Sequence, residues 1–159
     1  MTRLEVVKSI MEDLLDDDIV IASTGYISRE VYKQKDRDLN FYMQGSMGNA
    51  LGIGIGVAMN VLQRVFVISG DGSALMGLGS MVTAQSMDLN NLYHIIIDNG
   101  IHDSTGGQPT SSSYVDFQKL YKRTMVYKID EDSCVPERIP LNPVEITYRF
   151  INAIKSLNN

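Results

Sequence analysis

Apolar positions along the chain follow two rhythms in alternation. Leu4, Val7, Ile10, Met11, Leu14 and Leu15 recur at helical spacing among charged residues, which predicts an amphipathic helix over residues 2–15. "DIVIAST" then reads as a short, mostly apolar strand ending in Gly25, and "ISREVYKQK" as a helix. "NFYM" predicts a brief strand leading into a Gly-rich helix from Met47 to Leu62. On that helix Gly48, Gly52 and Gly56 would share one face, where a second backbone can approach closely. Strand Val65–Ser69, helix Ser73–Met87 and strand Leu92–Ile97 follow, then a loop poor in apolar residues from Asn99 to Ser113. A short helix near Val115–Tyr121, a strand near Met125–Ile129 and a final amphipathic helix after Asn142 complete the pattern, with Pro143 suited to its first turn.

Apolar strands alternating with helices predict an α/β fold: one Rossmann-like parallel sheet covered by helices on both faces. No repeat, low-complexity tract or linker divides the chain, so residues 1–159 are expected to form a single domain. At 159 residues, 44% of them hydrophobic, the chain is long enough for a proper core. A formal charge of −5 without a long basic run argues against nucleic acid and anionic membranes as partners. Asp16, Asp17 and Asp18 read as a solvated turn. A lone Cys134 rules out an internal disulfide and agrees with a reducing, cytoplasmic setting. The first 18 residues lack the uninterrupted apolar core of a signal peptide, and Met47–Leu62 is too short to span a bilayer.

Candidate chemistry concentrates at two strand ends. In "VFVISGDGSALMG", an apolar strand breaks into Gly70-Asp71-Gly72-Ser73 and a helix follows at once. A helix start offers free backbone N–H groups to an anion, yet Asp71 is itself an anion. The next strand ends in "DNG", placing Asn99 where it can converge with Asp71 beyond the carboxyl edge of a parallel sheet. A carboxylate and a carboxamide beside backbone N–H groups suit a hard cation such as Mg²⁺, which would bridge Asp71 to phosphate oxygens while Gly72 and Ser73 meet the phosphates through backbone and hydroxyl. "GIGIG" departs from the dinucleotide fingerprint, and no Gly-Lys-Ser/Thr marks a P-loop.

Gly-Asp-Gly followed after 26 residues by Asn resembles the thiamine diphosphate motif. "FYMQGSMGNALGIGIGVAMN", "GDGSALMGLGSMVTAQ", "IIIDNGIHDSTGGQPT" and the upstream "STGYISRE" are similar to the cofactor-binding (PP) domain of phosphonopyruvate and sulfopyruvate decarboxylases. That resemblance runs from about residue 2 to residue 130, and "HDSTGGQPT" leans towards the phosphonopyruvate enzymes. It implies Mg²⁺ ligation by the Asp71 and Asn99 side chains and the Ile101 carbonyl. It places Ser23, Thr24 and Gly25 near the diphosphate with Gly70, Gly72 and Ser73, and gives the Gly45 carbonyl to the aminopyrimidine. Ser46 and Met47 stand in the "GSMG" turn, with Met47 as the wedge that keeps the cofactor bent. His102 would relay a proton or bind the substrate's acidic head, whereas His94, in "LYHIII", reads as structural.

The reaction implied is non-oxidative decarboxylation of a small anionic 2-oxo acid, most simply 3-phosphonopyruvate to phosphonoacetaldehyde and CO₂. The alternatives are 3-sulfopyruvate decarboxylation, acetolactate synthase-like carboligation, or a non-catalytic thiamine diphosphate-binding domain. In the family a Glu on a separate pyrimidine-binding domain drives the cofactor's tautomer, and none of Glu5, Glu12 or Glu30 stands in its motif. The resemblance therefore implies a β subunit with an α partner that carries that Glu. After residue 130 the chain departs from the family pattern, with a shortened segment at about 130–142.

Overall fold

The computed structural model describes residues 1–130 and 134–157. Its strands are β1 (Ile19–Ala22), β2 (Asn40–Tyr42), β3 (Val65–Gly70), β4 (Leu92–Asp98), the short pair β5 (Ile101–His102) and β6 (Gln108–Pro109), and β7 (Thr124–Lys128). Its helices are α1 (Arg3–Glu12), α2 (Tyr26–Gln34), α3 (Ala50–Ala58), α4 (Asp71–Met76), α5 (Leu78–Met87), α6 (Phe117–Leu120) and α7 (Pro143–Leu157). Five strands pair in parallel in the order β2-β1-β3-β4-β7. This is the expected α/β architecture. Chain direction across the sheet reverses between β1 and β3, because β2 lies to one side of β1 and all later strands to the other. At such a reversal a crevice opens beyond the carboxyl ends of the strands.

Both faces of the sheet are covered, which is why its strands read as apolar runs. On one face Val20, Ala22, Ile68, Ile95 and Ile97 pack against α1 and α2 through Val7, Ile10, Met11, Ile27 and Val31. On the other, Ile19, Ile21, Val67, Leu92 and Ile96 meet Leu51 and Ile55 of α3, Met81 of α5 and Phe117 of α6. Helix α7 reaches both layers: Ile146 joins the first and Phe150 the second, its ring 5.3 Å from Phe41 on edge strand β2. Helix α1 opens on a capping box in which Thr2 and Glu5 exchange hydrogen bonds (3.2 and 2.8 Å), a device contributing about 1 kcal/mol.

Four local expectations change. The helix expected over Ser73–Met87 begins at Asp71 and breaks at Gly77, where a Cβ would stand 2.3 Å from the Gly48 carbonyl oxygen. The Gly-rich helix shortens to Ala50–Ala58, and Gly48 precedes it at φ +94°, so the three glycines do not form one helical face. Gly48 does meet a second backbone, that of Met76 and Gly77, and within the helix Gly54 packs tightly, where a Cβ would lie 2.3 Å from Val67 Cγ2. The loop Asn99–Ser113 contains the antiparallel β5–β6 pair and two 3₁₀ turns. Of the segment expected to be atypical at about 130–142, residues 131–133 lie outside the described residues. Residues 134–142 run back towards β2, with Arg29 Nη1 donating to Pro136 O (3.4 Å) and Gln44 Nε2 to Leu141 O (2.8 Å).

Candidate cofactor site

Register delivers the two strand ends to one place. Gly70 pairs with Ile97, so Asp71 and Asp98 emerge level with each other and Asn99 follows. Strand β1 ends beside them, its continuation held by a 2.9 Å bond from Ser23 N–H to the Ile68 carbonyl. Between these ends lies a cleft of about 100 Å³. Of the residues singled out in the sequence, Thr24, Met47, Gly70, Asp71, Gly72, Ser73, Asn99, Ile101 and His102 line it. Ser23 is buried beneath it, and Gly25 turns the chain into α2 at φ +89°. Gly45 and Ser46 are solvent-exposed and do not line the cleft.

Ser73 behaves differently from the expectation of a hydroxyl free for phosphate. Its Oγ lies 2.8 Å from Ser23 Oγ and accepts the Gly48 N–H at 3.2 Å. One buried hydroxyl thus ties together the end of β1, the turn that carries Met47, and the start of α4. Met47 keeps 37% of its surface exposed, with its Cε only 3.3 Å from where a Gly72 Cβ would be. The His102 ring covers the same glycine, its Cε1 2.6 Å from that point, so any side chain at position 72 would displace it.

Asp71 is 2% exposed. Burial pushes its carboxyl above the usual carboxylate range, and neighbouring Asp98 adds to the rise; hydrogen bonds from Thr110 and the Gly72 backbone oppose it. Asp98 is also buried, its Oδ1 accepting from Gly100 N–H (3.0 Å) and Ser112 Oγ (2.9 Å). Asn99 Oδ1 accepts the Ile101 N–H at 3.2 Å, which bends the chain sharply after β4. At the far end of the cleft sits Arg3, buried and stacked 5.0 Å from the centre of the Tyr26 ring, with its Nη1 3.0 Å from Asp103 Oδ2. Sequence reasoning gave no role to Asp98, Thr110, Ser112, Tyr26 or Arg3. The signal for Thr110 was its place in "HDSTGGQPT"; that for Arg3 was its helical register with Val7 and Ile10 on the buried face of α1.

Residues 23–134 match the family model described as thiamine pyrophosphate enzyme, C-terminal TPP binding domain. The chain belongs to this family. Phosphonopyruvate decarboxylase of Streptomyces viridochromogenes is 48% identical over 115 residues, covering 72% of this chain and 29% of that protein. Sulfopyruvate decarboxylase subunit beta of Methanocaldococcus jannaschii is 36% identical over 186 residues, covering 96% of this chain and 97% of that protein. Sulfopyruvate decarboxylase of Methanosarcina acetivorans is 37% identical over 119 residues, covering 74% and 30%. The chain therefore spans under a third of the phosphonopyruvate decarboxylases it matches, but nearly all of a separate beta subunit.

The cleft suits the diphosphate end of thiamine pyrophosphate, the same compound as thiamine diphosphate. Gly72 leaves no side chain between the start of α4 and His102, and a buried carboxylate held at an energetic cost is relieved by a cation. Its volume of about 100 Å³ is small beside the roughly 300–1,000 Å³ of typical ligand pockets, so this chain encloses only part of such a molecule. Among the described residues no cluster of three His, Cys, Asp or Glu side chains could hold a metal by itself, and no helix is long and apolar enough to cross a membrane.

Proposed function

We propose that the chain is the β subunit of a two-chain, thiamine diphosphate- and Mg²⁺-dependent 2-oxo acid decarboxylase acting on 3-phosphonopyruvate. The observation carrying this reading is a buried, destabilised Asp71 at the β1/β3 reversal, sharing its cleft with Asn99 in a chain of this family. Magnesium takes few protein ligands and completes its shell with phosphate oxygens and water. Asp71, Asn99 and the Ile101 carbonyl would hold it, and Asp71 would gain the counter-charge it lacks. When bound, the cofactor supplies an electron sink for loss of CO₂ from a 2-oxo acid. The chain's own residues bind and orient. Gly72 and the backbone N–H of Ser73 would receive the diphosphate, with Thr24 beside them. Met47, at the rim, would bear on the cofactor's rings, and His102, whose ring covers Gly72, would move a proton or meet the substrate's anionic head.

The exposed turn at Gly45 and Ser46 would face an α subunit, which would supply the pyrimidine-binding domain and its Glu. Near-complete coverage of a protein named subunit beta supports this division of labour. The same coverage favours a second reading, 3-sulfopyruvate as substrate, against the higher identity to phosphonopyruvate decarboxylases. The alignment of 186 positions also exceeds the chain's 159 residues, in keeping with a shortened segment near 130–142 in an otherwise single domain. Co-expression with the α chain, then assay of CO₂ release from both 2-oxo acids with Mg²⁺ and thiamine diphosphate, separates the two. Carboligation of pyruvate alone would point to acetolactate-type chemistry. No release from either acid, with Asp71→Ala binding cofactor as well as wild type, would overturn the reading.

A further inference from the structure

Behind the Asp71–Asn99 cleft, two buried carboxylates are braced by two hydroxyls from the segment that follows the β5–β6 pair. Thr110 Oγ1 donates to Asp71 Oδ2. Ser112 Oγ donates to Asp98 Oδ1 at 2.9 Å, while Ser112 N–H donates to Thr110 Oγ1 at 3.4 Å. Each hydroxyl carries a single proton, and this directionality gives one to each carboxylate. Thr110 is also fastened from behind, its N–H donating to the Gly100 carbonyl at 2.7 Å. Gly100 N–H in turn donates to Asp98 Oδ1 at 3.0 Å, so the "DNG" turn is gripped at both ends.

We propose that Thr110 is a positioning residue for the metal site, with Ser112 as its support; this rests on the Mg²⁺ and cofactor assignment above. The carboxylate of Asp71 has one oxygen held by Thr110, which fixes its rotamer and leaves the other oxygen for a cation. Through Ser112 and Asp98 the same brace sets the turn that presents Asn99 and the Ile101 carbonyl. Asp71 and Asn99 follow the ends of different strands, 28 positions apart in the chain. The brace is what makes their spacing a property of the fold before any ion arrives. Polar groups that orient a ligand from behind typically change metal affinity about 10–100-fold when removed.

The test uses the full chain assembled with its α partner. Mg²⁺ is titrated in the presence of thiamine diphosphate, with cofactor binding read by calorimetry, and Mn²⁺ serves as a paramagnetic probe of the same site. Thr110→Val should raise the half-saturating Mg²⁺ concentration about 10–100-fold, without lowering the rate at saturating metal in proportion. Thr110→Ser keeps the hydroxyl and should restore wild-type affinity. Ser112→Ala, which leaves Thr110 in place, should move affinity in the same direction by a smaller factor, and it carries the test if Thr110→Val fails to fold. Wild-type Mg²⁺ affinity in folded Thr110→Val, or in Ser112→Ala where that variant stands in, would overturn the inference alone. A wild-type complex that binds cofactor without any metal requirement would overturn it together with the proposed metal site.

Discussion

His94 makes the pH dependence of stability a sharp test of the core. It lies within β4, 1% exposed, and neither ring nitrogen has a hydrogen-bond partner among the described residues. Burial lowers its pKa from the ordinary 6.5 to about 3. In the unfolded chain the imidazole takes up a proton as pH falls through 6.5, whereas the folded chain refuses it until about pH 3. Over that window the unfolded state binds one more proton, so stability is lost as pH falls, by up to about 1.4 kcal/mol per pH unit. Across the whole window the loss reaches on the order of 5 kcal/mol, comparable with the total stability of many domains. Asp71 acts with the opposite sign: its raised carboxyl destabilises the fold at neutral pH and is relieved by acid. His94→Leu isolates the imidazole. Urea unfolding at a series of pH values should give a variant whose stability falls less steeply between about pH 4 and 6, by roughly 1.4 kcal/mol per unit. At pH above 7 it should be at least as stable as wild type, because two unpaired ring nitrogens are gone. Parallel pH profiles for the two proteins would refute the reasoning.

Asp71→Asn should melt at a higher temperature than wild type without metal, because the costly buried charge is removed, yet lose Mg²⁺-dependent cofactor retention; melting curves and calorimetry check the two halves. Gly54→Ala should cost about 1–3 kcal/mol by overpacking against Val67, and the double variant with Val67→Ala should recover part of that loss, as a double-mutant cycle in urea would reveal. Met47→Ala should leave the melting temperature nearly unchanged, since the side chain stands at the rim, while slowing decarboxylation about 10–100-fold at saturating cofactor.

Much of the fold was legible because strands buried on both faces leave continuous apolar runs, and Val65–Ser69 and Leu92–Ile97 are such runs. Strand order was not, since which strand lies beside β1 is decided by contacts far apart in the chain. Asp71 and Asn99 stood out as polar residues at the ends of apolar strands. Their brace did not, because Thr110 and Ser112 reach the site only once the β5–β6 pair has folded back. Arg3 shows charge and periodicity at odds: it keeps helical register with Val7 and Ile10 on the buried face of α1, while its charge argues for exposure, and Tyr26 and Asp103 enclose it. The need for glycine at 77 was likewise invisible, because the group that crowds it is a carbonyl oxygen 29 positions earlier.

The Ser73 hydroxyl has a consequence for how the cleft meets a long ligand. Gly48 N–H hangs on that hydroxyl, and the Gly48 carbonyl is wedged against Gly77 at the other end of the same short helix. The turn bearing Met47 is therefore pinned fore and aft to the segment that would receive the phosphates. The interval between the two ends of the cleft is set by backbone geometry and not by a loop free to adjust. Any ligand that touched both the Met47 turn and the start of α4 would meet that fixed interval.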